Sequence, residues 1–191
     1  MVPKADGTLR LCTDFRKVNA VTVPDPFPLP RVKDLLDKVG KAQFLTKLDM
    51  TRGYWQVPLD KDSVPISAFV TLFGHFQWRY MPFGLRNAPA TFSRLVIKLL
   101  EGMDDFSGAY LDDIINYSTD WKNHLKDIRA VLSRVRDANL TLSPSKCQFA
   151  AAELDYLGLH IGLGRVQPRQ KKVEALLAYP PPRTVNSFSL S

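Results

Sequence analysis

The segment Ala109-Tyr110-Leu111-Asp112-Asp113-Ile114-Ile115 constrains this chain more than any other. Two adjacent carboxylates sit inside an otherwise apolar, β-compatible run. Desolvating two ionised carboxylates is costly unless something compensates them. Neighbouring strand residues also face opposite sides, so a straight strand cannot aim both at one place. A hairpin turn here meets both conditions, because it carries the pair to a tip where a cation can bind. Oxygen-only ligation selects a hard ion such as Mg²⁺, which takes one or two carboxylates plus substrate phosphates. For an arbitrary Asp-Asp pair the alternative is a solvated acidic turn, and Asp104-Asp105, after Gly102, is read that way.

Asp49 ends a second apolar segment, Phe44-Leu45-Thr46-Lys47-Leu48-Asp49-Met50. If Asp49 and Asp112 converge, they can hold two ions about 3.5–4 Å apart, the spacing used for in-line phosphoryl transfer. One ion would activate an attacking 3′-hydroxyl and the other would stabilise the leaving pyrophosphate. A metal-dependent nuclease also uses clustered carboxylates, but nothing after Gly158 supplies a further acidic cluster.

The rest of the chain interleaves helices and strands without regular βαβ alternation, which reads as an α+β fold. Val2 to Asn19 reads as two short strands around Ala5-Asp6-Gly7-Thr8, Asp-Gly being a hairpin signal. Val23 to Pro30 carries four prolines in eight residues and reads as an extended linker. Val32, Leu35, Leu36 and Val39 share a helical face, and Gly40 stops that helix. Strands are expected at Ala42–Met50, Trp55–Leu59, Ala68–Leu72 and Phe76–Tyr80, then a helix over Ala88–Leu100 with Pro89 in its first turn. Gly108–Ser118 reads as the strand pair that carries the aspartates. Trp121, Leu125, Ile128, Leu132 and Val135 mark an amphipathic helix, with Thr119 or Asp120 as N-cap. Cys147–Ile161 returns to β character, and Lys171–Ala178 suggests a last short helix.

Lys plus Arg number 26 against 19 Asp plus Glu, a formal charge of +7 that favours polyanions such as nucleic acid, although many basic domains bind none. Cys12 and Cys147 match no zinc or redox spacing and read as reduced, packed thiols of a cytoplasmic or nuclear protein. Met1-Val2-Pro3-Lys4 lacks the apolar core of a signal peptide. The longest uncharged stretch, Ser63 to Trp78, is broken by Pro65, Gly74 and His75, so no membrane span is expected. His75, His124 and His160 are too far apart for local ligand spacing and are given structural or surface roles.

Tyr110-Leu111-Asp112-Asp113 looks like the signature of reverse transcriptases, and its surroundings resemble those of Ty3/gypsy-type long-terminal-repeat retrotransposons. The likeness runs in order through Leu11–Asn19, Lys47–Tyr54, Met81–Phe92, the YLDD tetrad, Leu142–Cys147 and Tyr156–Gly158. Six ordered blocks are far more specific than one tetrad, and they cover essentially the whole chain.

The resemblance implies a right-hand polymerase core of fingers and palm. The palm would be a ferredoxin-like antiparallel sheet backed by helices, with the thumb largely absent. Residues 1–23 would be partial fingers, 24–56 the first part of the palm, 57–87 the second part of the fingers, 88–168 the rest of the palm with the YLDD and primer-grip-like hairpins, and 169–191 the truncated start of the thumb or connection. Asp49, Asp112 and Asp113 would be the catalytic carboxylates and hold two Mg²⁺ or Mn²⁺ ions, with Asp49 and Asp112 the principal ligands. Tyr54 would lie beneath the incoming sugar and exclude a ribose 2′-hydroxyl; otherwise it is a core aromatic. Arg10 and Lys4 would reach the triphosphate, or else belong to a solvated hairpin. Phe83 and Gly84 would pack under the nucleotide, or form a plain turn before the helix. Lys146 would stand near the pyrophosphate, or be a surface lysine. Tyr156, Leu157 and Gly158 would grip the primer end, or form an ordinary core strand. Phe76, Trp78 and Tyr80, alternating on one strand face, are read chiefly as core packing, with template stacking as the alternative.

Two positions depart from the family pattern. Ile66 stands where many relatives carry lysine, which removes a contact to phosphate or template, and Asn116 interrupts a usually apolar strand and needs a partner if buried. The implied function is RNA-directed DNA polymerase, acting on an RNA or DNA template with primer and on deoxynucleoside triphosphates. The alternatives are a catalytically silent retroelement remnant that binds nucleic acid, or a fragment of a polyprotein that also carries ribonuclease H.

Overall fold

β3 (Phe44–Asp49) is the organising strand of the chain. It lies inside a four-stranded antiparallel sheet of order β6-β7-β3-β8, with β6 Ser107–Tyr110, β7 Asp113–Ser118 and β8 Gln148–Ala151. Two helices connect these strands, α4 (Ala88–Leu99) between β3 and β6 and α5 (Trp121–Asp137) between β7 and β8. The β-α-β-β-α-β order and the all-antiparallel register make this a ferredoxin-like unit. The computed structural model describes residues 2–3, 7, 9–28, 32–170, 174 and 178.

Strand alternation divides the core in two. Leu48, Ala109 and Ile114 face α4 and α5, where they pack with Phe92, Val96, Val131 and Val135. Leu45, Ile115 and Tyr117 face the other way. There they meet α2 (Val32–Val39) and a meander of β9 (Glu153–Tyr156), β10 (Leu159–Gly162) and β11 (Arg165–Pro168). Gly108 permits this second contact, because a Cβ there would fall 2.4 Å from the Leu35 side chain.

The remaining elements are short: β1 (Val2–Pro3), β2 (Leu9–Arg10), α1 (Arg16–Val21), α3 (Ser63–Ile66), β4 (Phe69–Thr71) and β5 (Gly74–Phe76). The linker at residues 23–28 has no regular structure but is pinned to α4. Arg94 donates to Asp25, and Asn87 donates to the Val23 carbonyl and accepts from the Asp25 amide.

Several elements differ from the sequence reading. Residues 16–21 are helical, because Thr22 and Asn19 close amide bonds back to Val18 and Phe15. Gly53–Gln56 forms a 3₁₀ turn where a strand was expected from Trp55, leaving only a bridge between Pro58 and Tyr80. The aromatic strand ends at Phe76, so Phe76 and Tyr80 stay about half exposed while Trp78 packs between Trp55 and Phe69. The buried stripe of α5 is His124, Ile128, Val131 and Val135, leaving Trp121 and Leu125 half exposed. Cys12 is exposed rather than packed. β11 was not anticipated, and most of the helix expected at 171–178 lies outside the described residues. Among the described residues no helix is long and apolar enough to cross a membrane.

Candidate active site

β6 and β7 form a two-residue hairpin closed by the pair Tyr110 and Asp113, with Leu111 and Asp112 at its tip. Leu111 has φ +56°, a left-handed conformation that costs a non-glycine residue about 1–2 kcal/mol. This strained tip turns Asp112 into solvent and leaves Asp113 as the first residue of β7. Asp113 pairs in register with Asp49 across the β3–β7 ladder, so both carboxylates leave the same face of the sheet.

Opposed like charges destabilise a sheet, and two lysines offset them here. Lys47 Nζ lies 3.4 Å from Asp113 Oδ2, with both side chains only about a fifth exposed (21% and 23%). Lys146 Nζ lies 3.7 Å from Asp49 Oδ1, from a mostly exposed position. Burial lifts the Asp113 carboxyl above its ordinary range; Lys47 opposes that shift, and the charges of Asp112 and Asp49 add to it. The site therefore carries more negative charge than its lysines neutralise. That is the environment a divalent cation relieves.

Asp49 is held at both backbone groups by the segment that follows α5. Its carbonyl accepts from the Ser143 amide at 2.9 Å, and its own amide donates to Cys147 Sγ at 3.4 Å. Pro144–Lys146, a 3₁₀ turn, places Lys146 beside the Asp49 carboxylate.

Asp112 faces the turn at Gly53 and Tyr54. A Cβ on Gly53 would fall 2.9 Å from Phe92 Cζ and 3.4 Å from Asp112 Cβ, so only glycine lets this turn lie between α4 and the hairpin. Tyr54 stacks against Phe83 at 4.9 Å and Phe92 at 5.5 Å. Burial first, and Asp112 second, raise its hydroxyl above the usual value and keep it protonated. Gly84 takes φ +98°, and its carbonyl accepts from Asn19 Nδ2 at 2.8 Å. Asn19 Oδ1 in turn accepts from the Arg86 amide, which ties α1 to the turn beside Phe83.

Tyr156, Leu157 and Gly158 form the β9–β10 turn, with positive φ at Leu157 and Gly158. The Tyr156 ring is fully buried, and its hydroxyl donates to the Asp113 carbonyl at 3.3 Å. Burial holds that phenol far above its ordinary range. This hairpin therefore supports the aspartate hairpin from below. Of the other sequence candidates, Lys4 lies outside the described residues, and Arg10 is described only as backbone in β2.

Lys47, Gly53 and Cys147 were not singled out as site residues by the sequence. Lys47 and Gly53 stand in the quoted block around Asp49 and Tyr54, and that adjacency was the available signal. The donor set of Asp49, Asp112 and Asp113 is oxygen-only and suits a hard cation. Among the described residues no three acidic, His or Cys side chains are already gathered closely enough to cage an ion. Mg²⁺ sites that rely on one or two carboxylates and substrate phosphates do not need such a cage.

Residues 2–161 match the reverse transcriptase (RNA-dependent DNA polymerase) family. The retrovirus-related Pol polyprotein from transposon 297 of Drosophila melanogaster is 40% identical over 183 residues, which is 94% of this chain and 17% of that polyprotein. The transposon Tf2-3 polyprotein of Schizosaccharomyces pombe is 31% identical over 183 residues, 95% of this chain and 14% of its own length. The chain thus spans less than a fifth of each of these relatives. Among solved structures, the foamy viral protease-reverse transcriptase dRH in complex with double-stranded DNA superposes with a TM-score of 0.89 at 26% identity, covering 97% of this chain and 32% of that one. The foamy viral protease-reverse transcriptase in complex with an RNA/DNA hybrid gives a TM-score of 0.84 at 26% identity, over 97% of this chain and 25% of that one.

Proposed function

From the premise that this chain belongs to the reverse transcriptase family, of the kind found in retrotransposon Pol polyproteins, we propose that it is the fingers and palm of an RNA-directed DNA polymerase. Residues 24–56 and 88–168 would form the palm, and 1–23 and 57–87 the fingers. The substrates would be an RNA or DNA template with its primer and deoxynucleoside triphosphates. The observation that carries this reading is the in-register pair Asp49–Asp113, with Asp112 on the adjoining hairpin tip facing Tyr54.

Asp49 and Asp112 would hold two divalent cations, with Asp113 beside them. When bound, such ions lower the barrier to attack by the primer 3′-hydroxyl and stabilise the charge of the departing pyrophosphate. The side chains of this chain position the reactants. Tyr54, wedged by Phe83 and Phe92, forms a rigid floor under the sugar and sterically excludes a 2′-hydroxyl. Phe83 and Gly84 line the same floor, the latter through an exposed backbone in a positive-φ conformation. Lys146, exposed beside Asp49, would offer its positive charge to phosphate oxygens. Arg10 and Lys4 would approach the triphosphate from the fingers. Tyr156, Leu157 and Gly158 would support the primer end from a turn that the Tyr156 hydroxyl ties to the aspartate hairpin by donating to the Asp113 carbonyl.

Primer extension on an RNA template with Mg²⁺ and deoxynucleotides tests this reading. The native chain should extend the primer, and Asp112→Asn should lower the rate by about a hundredfold or more, since it removes a carboxylate that would hold the cation stabilising the transferring phosphoryl group. Equal extension by both proteins would overturn the assignment. Binding of template–primer without extension by the native chain would favour a silent nucleic-acid-binding remnant instead.

A further inference from the structure

A cavity of about 380 Å³ opens beside the Gly53–Gln56 turn, and none of the three aspartates lines it. Its walls include Arg52, Trp55, Gln77, Trp78, Arg79 and Tyr80. Successive residues of the turn point apart. Tyr54 packs toward Phe92 and Asp112, and Trp55 packs toward Trp78 at 5.7 Å. The guanidinium of Arg52 lies 5.3 Å over the Trp55 ring, and Arg52 itself holds a left-handed φ of +49°. Arg79 and Tyr80 are exposed at the rim. Among the described residues neither arginine has a carboxylate partner and no acidic side chain lines the cavity.

Two unpaired guanidinium groups beside indole and phenol rings, with an amide at the rim, make a specific chemical request. The rings offer faces or edges to a flat heterocycle, the arginines offer charge to an anion, and Gln77 offers donors and an acceptor to ring nitrogens or carbonyls. The volume falls at the small end of ligand sites, which run from about 300 to 1,000 Å³, so it suits one residue of a strand and not a duplex. We propose that this cavity is an accessory nucleotide site that takes one base together with its phosphate, either as a free nucleotide or as one residue of a single strand. Phe83 links it to the polymerase site, since its ring lies 5.9 Å from Trp55 and 4.9 Å from Tyr54. The inference stands apart from the proposed polymerase activity, because it uses none of the metal-binding carboxylates.

The chain has three tryptophans, and two of them wall this cavity. In a Trp121→Phe background the intrinsic fluorescence therefore reports on Trp55 and Trp78 alone. The experiment titrates AMP, and separately a short single-stranded oligonucleotide, with EDTA present so that no divalent ion supports binding at the aspartates. Saturable quenching should appear, weaken by about fivefold or more in Arg52→Gln/Arg79→Gln, and persist in Asp112→Asn. Quenching by AMP identifies a free nucleotide as sufficient, and quenching by the oligonucleotide alone identifies a strand residue. No saturable quenching with either probe, equal affinity in the double arginine variant, or loss in Asp112→Asn would each overturn the proposal. Circular dichroism checks that the double variant is folded, and if it is not, Arg79→Gln alone serves with the same criterion.

Discussion

Lys47 occupies a position that only the folded sheet explains. It leaves the same face of β3 as Asp49 and reaches the carboxylate of Asp113, whose own strand begins 66 residues later. Removing its charge would leave a mostly buried carboxylate facing Asp49 across the ladder without compensation. Lys47→Met should therefore lower unfolding stability by about 1–3 kcal/mol, and Lys47→Met/Asp113→Asn should recover most of that loss. Urea unfolding of the four proteins in this cycle measures it, and additive losses would show that the two side chains do not interact. His124 supplies a pH-dependent contribution on the opposite face. Its ring has no exposed surface, and its nitrogens meet Thr46 Oγ1 at 2.9 Å and Ser118 Oγ at 3.1 Å. Thr46 Oγ1 accepts from the Ala150 amide and the Ser118 hydroxyl donates to Asp127. A neutral ring with its proton on Nδ1, toward Ser118, satisfies every group in the chain. Burial lowers the His124 pKa, with Asp127 opposing. The unfolded chain thus binds the proton more tightly, so stability from this group is present above the ordinary histidine value and is lost as pH falls below it. His160, exposed between Glu153 and Asp155, is shifted upward and contributes with the reverse sign. The native protein should therefore lose stability between about pH 7 and pH 5 more steeply than His124→Gln, a comparison that cancels His160. Parallel curves of urea midpoint against pH would remove His124 from the account.

β7 carries the clearest conflict between an element and its contents. Asn116 has no exposed surface, and neither its Oδ1 nor its Nδ2 has a hydrogen-bond partner among the described residues; the Ser107 hydroxyl directly across the ladder is likewise buried and without a partner among them. Buried amides without partners are destabilising, so Asn116→Val should raise stability by about 1–3 kcal/mol in urea unfolding. A fall in stability would mean that an ordered water satisfies the amide, as buried waters do in polar cavities. The sequence alone flagged Asn116, because one polar residue in an apolar strand is a local anomaly. The aspartates were legible for the same reason, and α2, β3, α4 and the β6–β7 hairpin followed from local periodicity and turn residues. Elements set by distant contacts were not legible. Trp55–Leu59 has strand composition, but Arg52 takes a left-handed turn and Gln56 bonds to Thr141, 85 residues away, so the segment curls into a 3₁₀ turn. The buried face of α5 departs from its apolar spacing for a related reason. Its sheet contact is set by His124 reaching Thr46, which turns Val131 inward and leaves Leu125 outside.

Across the whole molecule, two cores share one sheet and leave the aspartates at its rim, partly exposed. The formal charge of +7 is an excess that internal ion pairs cannot cancel, and among the described residues Arg52, Arg79 and Lys98 have no carboxylate partner. Polyanion binding by such a surface releases condensed counterions, and each phosphate neutralised adds about 0.9 to the slope of log affinity against log salt. For a template–primer duplex the slope should exceed about 2, so that a fourfold rise in salt weakens binding by more than about tenfold. Fluorescence anisotropy of a labelled template–primer at several salt concentrations measures this directly. Asp112→Asn should leave the slope unchanged, because it removes an anion from the chemical site and no cation from the binding surface. A slope near zero in the native chain would show that its excess positive charge lies away from nucleic acid, and the polymerase reading would then have to account for duplex binding by other contacts.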